Sequence, residues 1–190
     1  MRKLLLVLVV CGLSAYAYAD IIWDQSNYDV NTPALVDQDF SDYPTYSSFM
    51  ATDISTTQNW IVQKVTTYFT YGYGSWPVGQ QIQAKLNIIP RNGCNLPGSQ
   101  YDPSAGTVVN AQLQNLGGAL ALVASGLNIN LPAGDYWVGL TPMLAFGSYY
   151  QEFHLGAPIV NCNTAWRNPG GSFGYGTNWT WAYSLGYWQN

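Results

Sequence analysis

Leu127–Leu140 reads LNINLPAGDYWVGL, and its alternation decides the fold class. Leu127, Ile129 and Leu131 alternate with Asn128 and Asn130, Pro132-Ala133-Gly134 punctuates, and Tyr136, Val138 and Leu140 resume the period on the far side. A period of two puts the aliphatic side chains on one buried face and the asparagines on a wet one. The Pro-Ala-Gly break supplies a tight turn in which Gly134 is free to take a positive φ. The expectation is a half-buried antiparallel hairpin.

Shorter versions of this pattern recur on both sides. Gln81–Pro90 sets Ile82, Ala84, Leu86 and Ile88 on one face and Gln83, Lys85 and Asn87 on the other. Asn59–Tyr71 is rich in β-branched and aromatic residues, has no helix breaker and predicts a long central strand. Thr107–Leu116 and Ala119–Leu122 are strand-like, although ALALVA also fits a helical turn; Tyr149–Leu155, Ile159–Ala165 and Ser172–Tyr187 are each bounded by Gly or Pro. Ile21-Ile22-Trp23 starts a short first strand, while Asn31–Tyr46, polar and Pro-punctuated, and Arg91–Gly106 are loops. No stretch sustains the helical period of 3.6 over three turns. The expected fold is all-β: a single antiparallel β-sandwich, jelly-roll-like, with long polar loops, formed by Asp20–Asn190.

Compartment follows from the first residues and the composition. Arg2-Lys3, an apolar run from Leu4 to about Leu13 and the small-residue end Ala17-Tyr18-Ala19 have the three-part layout of a secretory signal peptide over residues 1–19, cleaved before Asp20. That run is too short to span a membrane, and no longer one follows. Roughly 170 residues remain, enough for one domain. Arg2 and Lys3 leave with the leader, so Lys64, Lys85, Arg91 and Arg167 face ten acidic residues, a formal net charge of −6. Nucleic acid is thereby excluded as a partner, since phosphate neutralisation needs clustered Lys and Arg. The charged fraction is only 8%, against a usual value of about 25%. So little charge gives weak electrostatic protection against association with itself or with neutral polymers. Cys11 also leaves with the leader; Cys94 and Cys162 remain and are expected to pair outside the cell, neither having the CxxC or histidine neighbours of a zinc site.

Several of these stretches taken together, namely the leader, the Ile-Trp-Asp start, ATDISTTQNWIVQKVTTYF (Ala51–Phe69), LPAGDYWVGL (Leu131–Leu140) and AWRNPGGSFGYGTNWTW (Ala165–Trp181), resemble a broad group of bacterial secreted β-sandwich proteins that often carry a PEP-CTERM sorting tail. The resemblance implies the fold and export. It departs at Thr52-Asp53-Ile54, where the group has Asp-Asp-Phe, and no sorting tail is recognised, so anchoring by one is not implied.

Catalytic material is sparse. Glu152 and His154 are the only glutamate and the only histidine; lying two apart on a strand they share a face, as an acid/base pair, as two metal ligands or, more simply, as a polar pair in solvent. No GxSxG elbow is present. Asp37, Asp39 and Asp42 form a DxDxxD run with oxygen ligands at a spacing that suits calcium, without the glycine and terminal glutamate of an EF-hand; a solvated acidic loop is the plain alternative. Aromatic residues are the stronger candidates. Trp179, Trp181 and Tyr183 fall on one face of the closing strand, as a core face or a stacking row, and Trp76, Tyr149, Tyr150 and Trp188 are the rings expected to face solvent. The expectation is a secreted, non-enzymatic protein of the cell surface or extracellular matrix. It would act by self-association or by adhesion to neighbouring polymers through low-charge aromatic surfaces. The alternative is a carbohydrate-binding module that stacks polysaccharide on these rings, and a hydrolase is third.

Overall fold

A computed structural model describes residues 23–24, 27–28, 33–70, 75–156 and 162–185. The expected signal peptide over residues 1–19, Ile21-Ile22, Tyr71, Tyr73, Tyr187 and Trp188 lie outside the described residues. The described part is all-β and antiparallel. Ten strands run in chain order: β1 (Pro33–Val36), β2 (Phe49–Thr56), β3 (Trp60–Thr70), β4 (Gln81–Pro90), β5 (Thr107–Asn115), β6 (Leu120–Leu131), β7 (Gly134–Pro142), then after a one-turn helix α1 (Phe146–Tyr149), β8 (Phe153–Leu155), β9 (Ala165–Arg167) and β10 (Thr180–Trp181). They form one sheet in the order β1-β8-β3-β6-β5-β4-β7-β2-β9-β10. β4 and β3 fall within a residue of the alternation read from the sequence, because clean breakers bound both.

The expected hairpin is not one. β6 pairs with β3 and β5, whereas β7 pairs with β2 and β4, so Leu131 lies opposite Trp60 while Gly134 lies opposite Thr56. The two connections, 57–59 and 132–133, cross between halves of the sheet side by side, tied by Ala133 N donating to Asn59 Oδ1 at 3.1 Å. Alternation of period two cannot distinguish a hairpin from such an arch, because both bury the same residues: Leu127, Ile129, Val138 and Leu140 pack on one core with Phe69, Leu86, Leu113, Leu120 and Leu122. The sheet is therefore sandwich-like, two halves of one continuous sheet facing each other across that core.

Two glycines make the geometry possible. Gly126, at φ +72, sits where the β3/β6 register jumps between Val62 and Lys64. The resulting bulge changes which residues face in, from Leu120, Leu122 and Ala124 before it to Leu127, Ile129 and Leu131 after it. That change of phase is why ALALVA reads as a separate element. Gly139 lets β7 lie close to β2, since a Cβ there would come within 2.1 Å of the Met50 carbonyl oxygen.

The outer face of β2, β7 and β4 is covered as well. Trp137, Ala51, Ile89, Cys162, Ala165 and Trp179 form a second core beneath the Arg91–Gly106 loop and the C-terminal segment, with the Trp137 and Trp179 indoles donating to Asn95 O and Tyr101 O. Asn87, expected on a wet face, is buried there and donates to Pro103 O. The Cys94–Cys162 disulfide joins loop to segment. The expected closing strand shrinks to Thr180–Trp181 followed by a 3-10 turn over Ala182–Leu185; Trp179 is buried in the second core, half-buried Trp181 packs against it, and exposed Tyr183 stacks on Trp181 with ring centres 6.2 Å apart.

Candidate functional site

The Asn31–Tyr46 region, expected to be loop, holds β1 and then closes the sheet. Asp37 N donates to Glu152 O, Gln38 and Ser48 exchange both backbone bonds, Asp39 N donates to Pro142 O and Leu144 N to Asp39 O. Because β1 stands at the β8 end of the sheet order, these bonds link that end to the β7/β2 side. The closure is plugged by polar side chains with no exposure: Asp37, Gln38, Ser48, Thr141 and Glu152. Asp37 accepts from Thr141 Oγ1 (2.6 Å) and Met50 N (3.2 Å), and its Oδ2 lies 3.0 Å from His154 Nδ1. The expectation of Glu152 and His154 as a solvent-facing pair is thus corrected. Glu152 is fully buried with neither carboxyl oxygen hydrogen-bonded, and burial, with the Asp37 charge adding to it, pushes its pKa well above the ordinary value. This carboxyl is out of reach of a substrate.

Gln38 carries this seam to the surface. Its Nε2 donates to Leu144 O (3.1 Å) and Tyr150 O (3.0 Å), and its Oε1 accepts from Glu152 N (2.9 Å), so one buried amide holds both ends of the segment bearing α1. Asp42 caps that helix, accepting from Phe146 N and Gly147 N, both at 2.8 Å; the Gly147 bond first, with that from Phe146, holds its carboxyl below the usual range. Asp39 accepts from Ser47 Oγ, whose oxygen accepts from Phe40 N. The three aspartates therefore have three separate structural duties. Among the described residues, no group of three His, Cys, Asp or Glu is placed to hold a metal ion.

Above the seam, Phe40, Tyr43, Tyr46, Phe146 and Gln151 line a cleft of about 180 Å³. Its rings meet edge to face: Phe146 lies 6.1 Å from Phe40, 5.9 Å from Tyr43 and 5.7 Å from Tyr150. Tyr43 (52%), Tyr150 (51%) and Tyr46 (43%) are among the most exposed large side chains of the described residues. Tyr150 is also the one non-glycine described residue with positive φ, at φ 60 and ψ −134, a region left mostly to glycine. A backbone there costs about 1–3 kcal/mol and persists only where its surroundings enforce it, here the bonds from Gln38 to Tyr150 O and from Tyr150 N to Phe146 O.

Of the expected solvent-facing rings, only Tyr150 among the described residues is exposed. Trp76 and Tyr149 are half-buried and pack on the main core, and the Trp76 indole N–H is buried without a partner. Phe40, Tyr43 and Tyr46 are hidden from a reading of the sequence because they lie in an acidic, proline-containing stretch. Their spacing of three, in FSDYPTY, is the available signal. No family model matches this chain, nor does any curated protein or any solved structure at a significant level.

The strain at Tyr150 is measurable apart from any ligand. Tyr150→Ala and Tyr150→Gly both remove the ring, but only glycine relieves the backbone. After the extra chain entropy of glycine is charged, the Gly variant should be more stable than the Ala variant by about 1 kcal/mol in urea unfolding. A Gly variant equal to or below the Ala variant would show that no strain is held there.

Proposed function

We propose that this is an exported, non-enzymatic adhesion protein whose aromatic cleft takes a ring of a neutral polysaccharide. The observation that carries the reading is Tyr150, an exposed ring held on strained backbone beside Phe146 and the cleft. Tyrosine suits such a ligand, because its face covers the apolar C–H side of a pyranose while its hydroxyl remains in water. Charge favours a neutral ligand. Lys64 and Lys85 lie on β3 and β4, the Arg91 guanidinium is buried against Asp53 and Asp135, and Arg167 donates to Thr177 O, Ser99 O and Tyr101 O, which leaves none of the four lining the cleft. Asp42, the nearby carboxylate, is already engaged by two amides. Burial of Glu152 supports a reading without catalysis.

The test is retention of the chain on insoluble cellulose, chitin, xylan and starch. Retention on at least one is expected, falling by about tenfold or more in affinity for Tyr43→Ala and Tyr150→Ala. Loss of retention with unchanged melting temperature would tie it to the rings. Absence of retention on all four, or full retention by both variants, would sink the proposal.

Association of copies is a second reading, favoured by the outer face of β4 and β5. There Gln81 faces Gln112 and Gln83 faces Asn110 across the strands, a mostly exposed amide surface with Lys85 next along the same face of β4. Sedimentation that gives a monomer at high protein concentration would dispose of it.

A further inference from the structure

We infer that the ligand is a chain lying across two aromatic patches, rather than a free sugar, with the cleft holding only one of its rings. This rests on the saccharide reading above. The cleft of about 180 Å³ is small beside the ~300–1,000 Å³ of ordinary ligand pockets, and amounts to the liquid volume of about six waters. A ligand confined to it offers few atoms, and the ceiling on binding energy per atom keeps one ring weak. Further contact has to come from outside the cleft.

A second aromatic patch adjoins the cleft at Tyr46. Tyr46, which lines the cleft, stands edge-on to Phe173 with ring centres 5.5 Å apart. Phe173 lies 6.1 Å from Trp166, a buried ring that supports the patch from below, and Trp166 lies 5.9 Å from Tyr175, which is 47% exposed. The Pro44–Tyr46 turn thus has Tyr43, Phe146 and Tyr150 on one side and Phe173 and Tyr175 on the other. The spacing between patches is fixed by a buried residue: Asn168 donates from Nδ2 to Thr45 O (2.9 Å) and Ser47 O (2.8 Å) and accepts from Phe173 N on Oδ1 (3.1 Å). Gly170 adds close contact, since a Cβ there would come within 2.3 Å of Thr45 O. Two patches held rigidly in register bind a continuous chain with little further ordering cost, and the second engagement is intramolecular once the first has formed. A free monosaccharide gains nothing from this arrangement.

Calorimetry with a disaccharide and a hexasaccharide cut from whichever polymer retains the protein tests the inference. The hexasaccharide is expected to bind at least about tenfold more tightly. Tyr175→Ala should remove that gain and leave disaccharide affinity unchanged, whereas Tyr43→Ala should weaken both; melting temperatures of these exposed-site variants check that they fold. Equal affinity for the two lengths, or a Tyr175→Ala variant that keeps the full gain, would overturn the extended site while leaving the saccharide reading intact. Retention on none of the polymers would remove both.

Discussion

Glu152→Gln should make the protein markedly more stable at pH 8 and leave it nearly unchanged at pH 4. The carboxyl of Glu152 is buried at 0% exposure with no hydrogen-bond partner on either oxygen, and the Asp37 carboxylate acts on it. Its backbone, by contrast, is satisfied: the N–H donates to Gln38 Oε1 and the carbonyl accepts from Asp37 N. Such a group stays protonated in the native chain, since ionisation without a partner in that environment has an effective cost of several kcal/mol. The sign follows from linkage. The native pKa is raised above the unfolded value of about 4.5, so the native chain holds its proton after the unfolded chain has lost it. Stability is complete below pH 4.5 and falls with rising pH, by about 1.4 kcal/mol per pH unit, until the native carboxyl itself titrates. Glutamine mimics the neutral acid and has no such slope. The Asp37–His154 pair is present in both proteins, so the difference between the two pH profiles reports the change at position 152. At pH 8 the variant should be the more stable of the two in urea unfolding and in melting temperature, and the gap should close as the pH falls towards 4. A gap of the same size at both pH values would mean that the carboxyl is not held neutral by the fold.

Glu152 also shows what a single sequence conceals. Its partners in the seam, Gln38 and Asp37, are more than a hundred positions away, so a polar residue paired inside is indistinguishable from one in water. The same holds for the whole Asn31–Tyr46 stretch, whose polarity reads as a loop and is largely spent on closing the sheet. Strands with local alternation and firm breakers, Gln81–Pro90 above all, are legible to the residue. The Gly126 bulge and the arch at Pro132-Ala133 are not: the bulge shifts the apolar phase, so one strand reads as two, and the arch changes pairing while preserving the apolar pattern. Trp137 and Asn87 have a buried outer face that the sequence hides, since what covers them, the Arg91–Gly106 loop and the C-terminal segment, is distant along the chain. At the candidate site the sequence picks out Tyr150 as a solvent-facing ring. Its neighbours Tyr43, Tyr46 and Phe146 come from two segments far apart in the chain, which Gln38, Asp39 and Asp42 bring together.

Removing the Cys94–Cys162 disulfide should lower stability by about 4 kcal/mol, the chain-entropy value for a closed loop of this size, with the two cysteines 68 positions apart. For a domain this long that corresponds to roughly 8–16 °C in melting temperature. The bond ties the Arg91–Gly106 loop to the segment entering β9, directly over the second core, where Cys162 itself is buried with Trp137 and Trp179. Arg91 joins the same contact: it donates to Cys162 Sγ at 2.9 Å and to Ser55 Oγ at 3.0 Å, pairs with Asp135 at 3.3 Å and Asp53 at 3.7 Å, and lies 5.8 Å from the Trp137 ring centre. Serine at both positions retains an acceptor for the guanidinium, so the double Cys→Ser variant isolates the loss of the crosslink from the loss of a buried ion's partner. The damage should be local in the native state. Trp137 fluorescence should shift to the red as the loop loosens, while retention on polysaccharide persists below the melting point, because the aromatic cleft is held by Gln38, Asp42 and Asn168 through their bonds to Leu144, Gly147 and Ser47. A reduced or double-serine protein that melts where the parent does would show that the loop is held by packing alone. One that loses retention together with the crosslink would mean that the second core, and not the seam, positions the aromatic rings.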